Sequence, residues 1–266
     1  MFVDTHCHLD DASLVRRLPE VLAHAEAAGV TRFIVPGVGP DSWDDVMAVA
    51  RNRRTIFAAP GIHPMRAMLF NDESFARLEQ LCGNAVAVGE IGLDYGYNVS
   101  REFQQQAFRA QLRLAVRLGL PVLIHCRRAF ADTLGFLGEA EIGRVGGVMH
   151  AFSGSPEIAV ECVKLGLYIG IAGAVTYDNA VRPVEVVKQI PLEHLLLETD
   201  APDLPPVPYR GTIGEPAFLV ESARKVAAIK GIALEDVARV TTDNAERLFR
   251  LTKPRSFIAI NTTMDR

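Results

Sequence analysis

Apolar residues cluster in eight short runs, at 2–6, 32–36, 57–62, 85–90, 122–125, 147–150, 168–171 and 195–200. None alternates apolar with polar positions. Each therefore predicts a strand buried on both faces, as in a parallel sheet. Longer amphipathic stretches separate the runs. Phe103, Ala107, Ala110, Leu114 and Leu118 repeat at helical spacing and stop at Gly119, with Pro121 beyond. Pro19 predicts the first turn of a helix that carries Val21, Leu22 and Ala25 and ends at Gly29. Asp41-Ser42 starts another, bearing Val46, Val49 and Ala50. Ser155-Pro156 caps one that Gly166 closes, and Pro216 opens one that ends before Gly231.

Eight strands with intervening helices in 266 residues predict a single-domain α/β fold, the TIM (β/α)8 barrel, over an open doubly wound sheet. No GxGxxG follows the first run, which removes the usual dinucleotide reading. The barrel is assigned to residues 1–251. Residues 252–266 carry no helical stripe and are expected to form a disordered tail.

Composition narrows the picture. No apolar run approaches the roughly 20 residues of a membrane span. A formal charge of −4 argues against broad electrostatic coating of DNA, but not against local grip on phosphates. Cys7, Cys82, Cys126 and Cys162 form no CxxC pair, so a zinc ribbon or thioredoxin motif is excluded. Reduced thiols and a cytoplasmic location are the simple expectation. A cleavable leader is not expected, because its removal would take away a candidate site that begins at Asp4.

That site opens with His6 and His8, two apart at the end of the first run. Strand period two would put both imidazoles on one face, as ligands for a divalent metal. Such a pair also occurs by chance on surfaces. The remaining strand ends change its weight: Glu90, His125, His150 and Asp200 each close a predicted strand. Burying a charge there is costly unless it is paired or metal-bound. Barrel active sites gather at the C-terminal strand ends. Six such residues exceed the needs of one tetrahedral ion, which suggests two divalent cations sharing a carboxylate. Glu90 is the bridging candidate. His6, His8 and Asp200 are assigned to one cation, His125 and His150 to the other. Imidazole-rich sites take zinc, nickel, manganese or iron, whereas softness does not select magnesium for this set.

The motifs FVDTHCHLD, GIHP, AVGEIGLDY, LPVLIHCRRA, GVMHAFSGS and LLLETDAP stand in the order found in TatD-family deoxyribonucleases, a branch of the amidohydrolase superfamily. The chain resembles that family over about residues 2–250. The resemblance implies a TIM barrel, two divalent cations and hydrolysis of DNA phosphodiester bonds. It implies metal roles for His6, His8, Glu90, His125, His150 and Asp200, with Asp200 and Glu90 at the chemistry. No lysine lies at a candidate strand end to serve as the carboxylated bridge of other amidohydrolases. Two stretches depart from the pattern. The Arg-Asn-Glu-Pro segment common after the last strand reads Ile213-Gly214-Glu215-Pro216, within a loop at 203–216. The basic residue common soon after Asp94-Tyr95 is missing, and the stretch reads Gly96-Tyr97-Asn98.

Two residues are expected to contact substrate. His63 ends the third run and could donate to a phosphate; a loop histidine fixed by Pro64 is the competing reading. Arg127 follows His125 by two and could clamp a phosphate oxygen, or pair with a neighbouring loop. Arg128 and Arg210 are weaker candidates for the same work. Cys7 and Cys126 alternate with the ligands and are expected to pack against helices. His24 and His194 are expected at the surface or in caps. Trp43 is expected to pack a helix, and Phe152 the core or rim. Single-stranded DNA, or DNA ends, is the expected substrate, with no membrane partner. A hydrolase of another ester, lactone, amide or aminoacyl-tRNA at the same site is the alternative. A non-catalytic scaffold would be expected to have lost ligands, and none of the six is missing.

Overall fold

The computed structural model describes residues 1–251, so the predicted tail at 252–266 lies outside the described residues. In chain order the elements are β1 (Phe2–Asp4), α1 (Ala12–Val15), α2 (Leu18–Ala27), β2 (Val30–Pro36), α3 (Trp43–Ala50), β3 (Ile56–Ala59), α4 (Asp72–Cys82), β4 (Val88–Asp94), α5 (Arg101–Leu118), β5 (Val122–Arg127), α6 (Phe130–Glu139), β6 (Gly147–Met149), α7 (Pro156–Lys164), β7 (Leu167–Ile171), α8 (Arg182–Gln189), β8 (Leu195–Leu197), α9 (Leu219–Lys230) and α10 (Leu234–Phe249). All neighbouring strands pair in parallel, in the orders β1-β2-β3 and β4-β5-β6-β7-β8.

Backbone hydrogen bonds bridge the two remaining seams. Beside β3 and β4, Val86 N–H donates to the Ala58 carbonyl at 3.0 Å and Gly89 N–H to that of Pro60 at 3.1 Å. Beyond β8 and β1, Thr5 N–H donates to the Leu197 carbonyl at 3.1 Å and Asp200 N–H to that of His6 at 2.9 Å. These contacts close the eight strands into the TIM barrel that the run pattern predicts.

The helices start and stop where local chemistry dictates. Ser155 caps α7 with Pro156 in its first turn, and Gly119 ends α5 in the left-handed region at φ 67°. Asn71 and Ser74 form a reciprocal capping box on α4, which with α1, α6, α8 and α10 lies outside the helices predicted above. Trp43 is fully buried under α3, and its indole N–H donates to the Gly61 carbonyl at 2.8 Å. A large apolar side chain buried in this way contributes about 1.5–3 kcal/mol.

Two apolar layers result. An outer one lies between strands and helices. An inner one gathers Val3, Ile34, Ala59, Ala87, Leu123, Val148 and Leu196, one from nearly every strand, against Ala245, Leu248 and Phe249 of α10. Asn244 donates to the carbonyls of Leu192 and Leu195, and Thr242 to that of Met1, so α10 lies across the N-terminal ends of the strands. That end is plugged. The opposite, C-terminal end is where chemistry has room. Among the described residues no helix is long and apolar enough to cross a membrane.

Several strand ends differ from expectation, β3 stopping at Ala59, short of Ile62. β1 stops at Asp4 and β8 at Leu197, before the candidate ligands. β4 runs on past Glu90, because pairing of Gly92 with His125 and of Asp94 with Arg127 carries it to Asp94.

Candidate functional site

His6 and His8 follow β1 in an irregular segment, so strand period does not aim them. Backbone ties do. Cys7 N–H donates to the Ile34 carbonyl at 3.1 Å, and His8 N–H to that of Ala201 at 2.7 Å. Asp200 sits beyond β8 in the left-handed region at φ 59°, held by its bond to the His6 carbonyl. Glu90 lies within β4 and His125 within β5, while His150 follows β6.

All six converge at the C-terminal mouth, with Glu90 at the centre. His6 Nε2 lies 3.4 Å from Glu90 Oε2 and 3.7 Å from Asp200 Oδ1. His8 Nε2 is also 3.7 Å from Asp200 Oδ1. His150 Nε2 stands 3.4 Å from Asp200 Oδ1 and 3.9 Å from Glu90 Oε1, with its ring stacked on that of His6 at 3.4 Å. His125 Nδ1 approaches Glu90 Oε1 at 3.0 Å. His63 joins the group, its Nε2 3.8 Å from Glu90 Oε1. The donor atoms fall into three close sets: His6, His8 and Asp200; His6, Glu90 and His150; His63, Glu90 and His125. His125 and His150, assigned to one cation from the sequence, do not share a set.

Electrostatics follow from burial and company. Burial alone would raise the Glu90 carboxyl, but His63, His6, His150 and the His125 hydrogen bond hold it well below the usual range. Asp200 is likewise held down against burial, chiefly by His150. Burial pushes His63 down to about 4, so it is neutral near pH 7. Its Nδ1 accepts from Met65 N–H at 3.2 Å, which leaves the proton on Nε2, toward the site. Burial and the neighbouring His150 also lower His6. In contrast, hydrogen bonds to Asp94 and Glu90 overcome burial at His125 and raise it to about 9.

These residues fit a divalent cation. Both ring nitrogens of His6 are buried and make no hydrogen bond. One of them faces two carboxylates at distances too long for hydrogen bonds. Ligands about 2.1 Å from one tetrahedral ion would stand about 3.4 Å apart, close to the separations found here.

Two carboxylates escaped the sequence reading. Asp94 Oδ2 lies 3.1 Å from His125 Nε2, and Glu198 Oε1 lies 2.9 Å from His150 Nδ1. Asp94 hydrogen-bonds the His125 nitrogen turned away from Glu90, and Glu198 stands at ion-pair distance from the outward nitrogen of His150, places from which a carboxylate orients a metal-binding histidine. A usable signal existed for Glu198, which precedes Asp200 by two at the end of an apolar run.

The cleft over the site has a volume of about 710 Å³. His63 and Arg127 both line it, and Arg127 makes no ion pair among the described residues. Arg210 stacks on Tyr177 instead, 4.2 Å from the ring centre. Cys7 is fully buried, and Cys126 Sγ meets Thr133 Oγ1 of α6 at 3.3 Å. Burial raises both thiols. Phe152 packs on Phe130, and His194 lies against Tyr168. His24 is not merely a surface residue: its Nδ1 meets Glu215 at 3.0 Å, on a carboxylate that Arg17 also binds. Glu215 is thus committed to holding the loop before α9 against α2.

Residues 3–250 match the family model described as TatD related DNase. The chain is 40% identical over 254 residues to the metal-dependent hydrolase YabD of Bacillus subtilis, spanning 94% of this chain and all of that protein. It is 41% identical over 244 residues to the 3'-5' ssDNA/RNA exonuclease TatD of Cronobacter sakazakii, covering 86% and 90% of the two chains. The crystal structure of YjjV, a TatD homologue from Escherichia coli, superposes with a TM-score of 0.88 at 35% identity, over 94% and 98% of the chains. The chain therefore belongs to the TatD-related DNase family, a family of metal-dependent hydrolases.

Proposed function

We propose that this protein is a two-cation phosphodiesterase acting on single-stranded DNA or DNA ends. The observation that carries the reading is the convergence of His6, His8, His125, His150 and Asp200 on the buried Glu90 carboxylate, beneath a cleft lined by Arg127, which makes no ion pair among the described residues. His6, His8 and Asp200 would hold one divalent cation. His125 and His150 would hold the second, and Glu90 would be shared. Zinc, manganese, nickel and magnesium are the candidates. When bound, such cations supply positive charge that eases deprotonation of water and steadies negative charge on phosphoryl oxygens.

The chain's own groups supply the rest. The Asp200 carboxylate, ionised and open to the cleft, orients a water toward phosphorus and accepts its proton. Neutral His63 offers Nε2–H to a phosphoryl or leaving oxygen. The Arg127 guanidinium offers paired donors to a non-bridging oxygen. Asp94 and Glu198 fix the rings of His125 and His150, so the site needs little reorganisation as substrate enters.

Support from relatives is specific in one case, the exonuclease of Cronobacter sakazakii. Hydrolysis of a carboxylic ester, lactone, amide or aminoacyl-tRNA would use the same groups. A panel of end-labelled single-stranded DNA, duplex DNA, RNA and p-nitrophenyl carboxylic esters, run with metal-loaded protein, separates the two. Trimming of single strands is expected. Turnover of carboxylic esters alone would overturn the assignment while leaving the metal site intact.

A further inference from the structure

We infer that Tyr97 and Met65 form a subsite for the nucleobase beside the scissile phosphate; this rests on the phosphodiesterase reading above. The missing basic residue after Asp94-Tyr95 leaves an aromatic one at the cleft, and the local geometry says why it points there. Gly96 N–H donates to Asp94 Oδ1 at 2.7 Å, and a Cβ on Gly96 would stand 2.9 Å from that same oxygen. A side chain at 96 would press on that hydrogen-bonded carboxylate, and Tyr97 follows it at the cleft. Tyr97 packs edge-on against His63, with ring centres 5.8 Å apart. Met65 is tied to the same residue, its backbone N–H donating to His63 Nδ1 at 3.2 Å.

Both side chains line the cleft and stay open, Tyr97 at 37% and Met65 at 42% exposure. An aromatic ring and a thioether exposed in a charged cleft offer apolar faces that a flat ring can cover. Charge on the cleft walls narrows what visits. Asp10, Asp11 and Asp203 line one part of the rim and repel phosphates. Arg127 lies on the Tyr97 side, close enough to act on its hydroxyl and near the position a Gly96 Cβ would take. A group with an anionic phosphate and a flat apolar ring attached meets both needs at once: Arg127 takes the phosphate, and Tyr97 with Met65 takes the base. Stacking of this kind tolerates any base, because every base has a π face.

The test compares two single-stranded oligonucleotides with metal-loaded protein, one carrying a base on its terminal nucleotide and one carrying an abasic tetrahydrofuran there. The readout is the ratio of their kcat/KM values in wild type, Tyr97→Ala and Tyr97→Phe, each checked for an unchanged melting temperature. Wild type is expected to favour the base-bearing strand. Tyr97→Ala should cut that preference about tenfold, mainly through KM, and Tyr97→Phe should retain it. Equal hydrolysis of both strands by wild type, or an unaltered ratio in Tyr97→Ala, overturns the subsite and leaves the phosphodiesterase reading standing. Hydrolysis of neither strand overturns both.

Discussion

Glu198 Oε1 lies 2.9 Å from His150 Nδ1, deep under the rim and out of contact with solvent. The same oxygen accepts from the Ala151 N–H, so one carboxylate lies against both the ring and the backbone that carries it. A Cβ on Gly170 would stand 2.7 Å from Glu198 Oε2, which ties the absence of a side chain at 170 to the presence of this one. Glu198→Gln should weaken metal binding about 10–100-fold while the fold persists. Gly170→Ala should act in the same direction by pushing the carboxylate aside. Calorimetric titration with manganese or zinc, beside circular dichroism, checks both; unaltered affinity in Glu198→Gln would contradict the role.

Asp200→Asn keeps a side chain that tolerates the left-handed backbone at φ 59°. It removes the proton acceptor. Turnover should fall about 100-fold or more with KM nearly unchanged. A change confined to KM would place Asp200 in substrate binding instead.

His125 as a ligand should make metal binding pH-dependent. Its folded, metal-free value of about 9 lies above the ordinary 6.5. Its pairing with Asp94 and Glu90 thus stabilises the metal-free fold fully below pH 6.5, and that contribution is lost as pH rises through about 9. Coordination needs the neutral ring, so metal uptake at pH 7.5 should release a proton from His125. Calorimetry in two buffers of different ionisation enthalpy should register the release, and His125→Ala should reduce it. Equal heats in both buffers would count against the assignment.

Arg127→Ala should raise KM for oligonucleotides about tenfold with a smaller effect on kcat, since it removes a charge-assisted hydrogen bond to phosphate. Arg127→Lys should restore only part of the loss, because an ammonium lacks the planar fork. Steady-state kinetics at fixed ionic strength decide it. An unchanged KM in Arg127→Ala would return this residue to the solvated rim.

Much of this arrangement is legible in the sequence because a barrel turns strand order into a ring. Knowing that runs of buried residues end in His125, His150 or Asp200 is enough to bring those ends to one mouth. Local aim is less legible. His6 and His8 reach the centre through hydrogen bonds to the Ile34 and Ala201 carbonyls, contacts distant in sequence, and not through strand period. Glu90 reads as a strand end because the apolar run stops there, yet β4 continues, since its neighbour β5 keeps pairing to Arg127. Asp94 was hidden for the same reason. The partition of imidazoles around Glu90 depends on side-chain packing that no spacing encodes.

A two-cation hydrolytic centre at the rim should make single-strand cleavage depend on bound metal. The most direct test is the rate of single-strand cleavage by chelated, metal-free protein titrated with manganese. The rate should be negligible at the start and rise to a plateau at two equivalents per chain. Cleavage indifferent to chelation, or none at full loading, would contradict it.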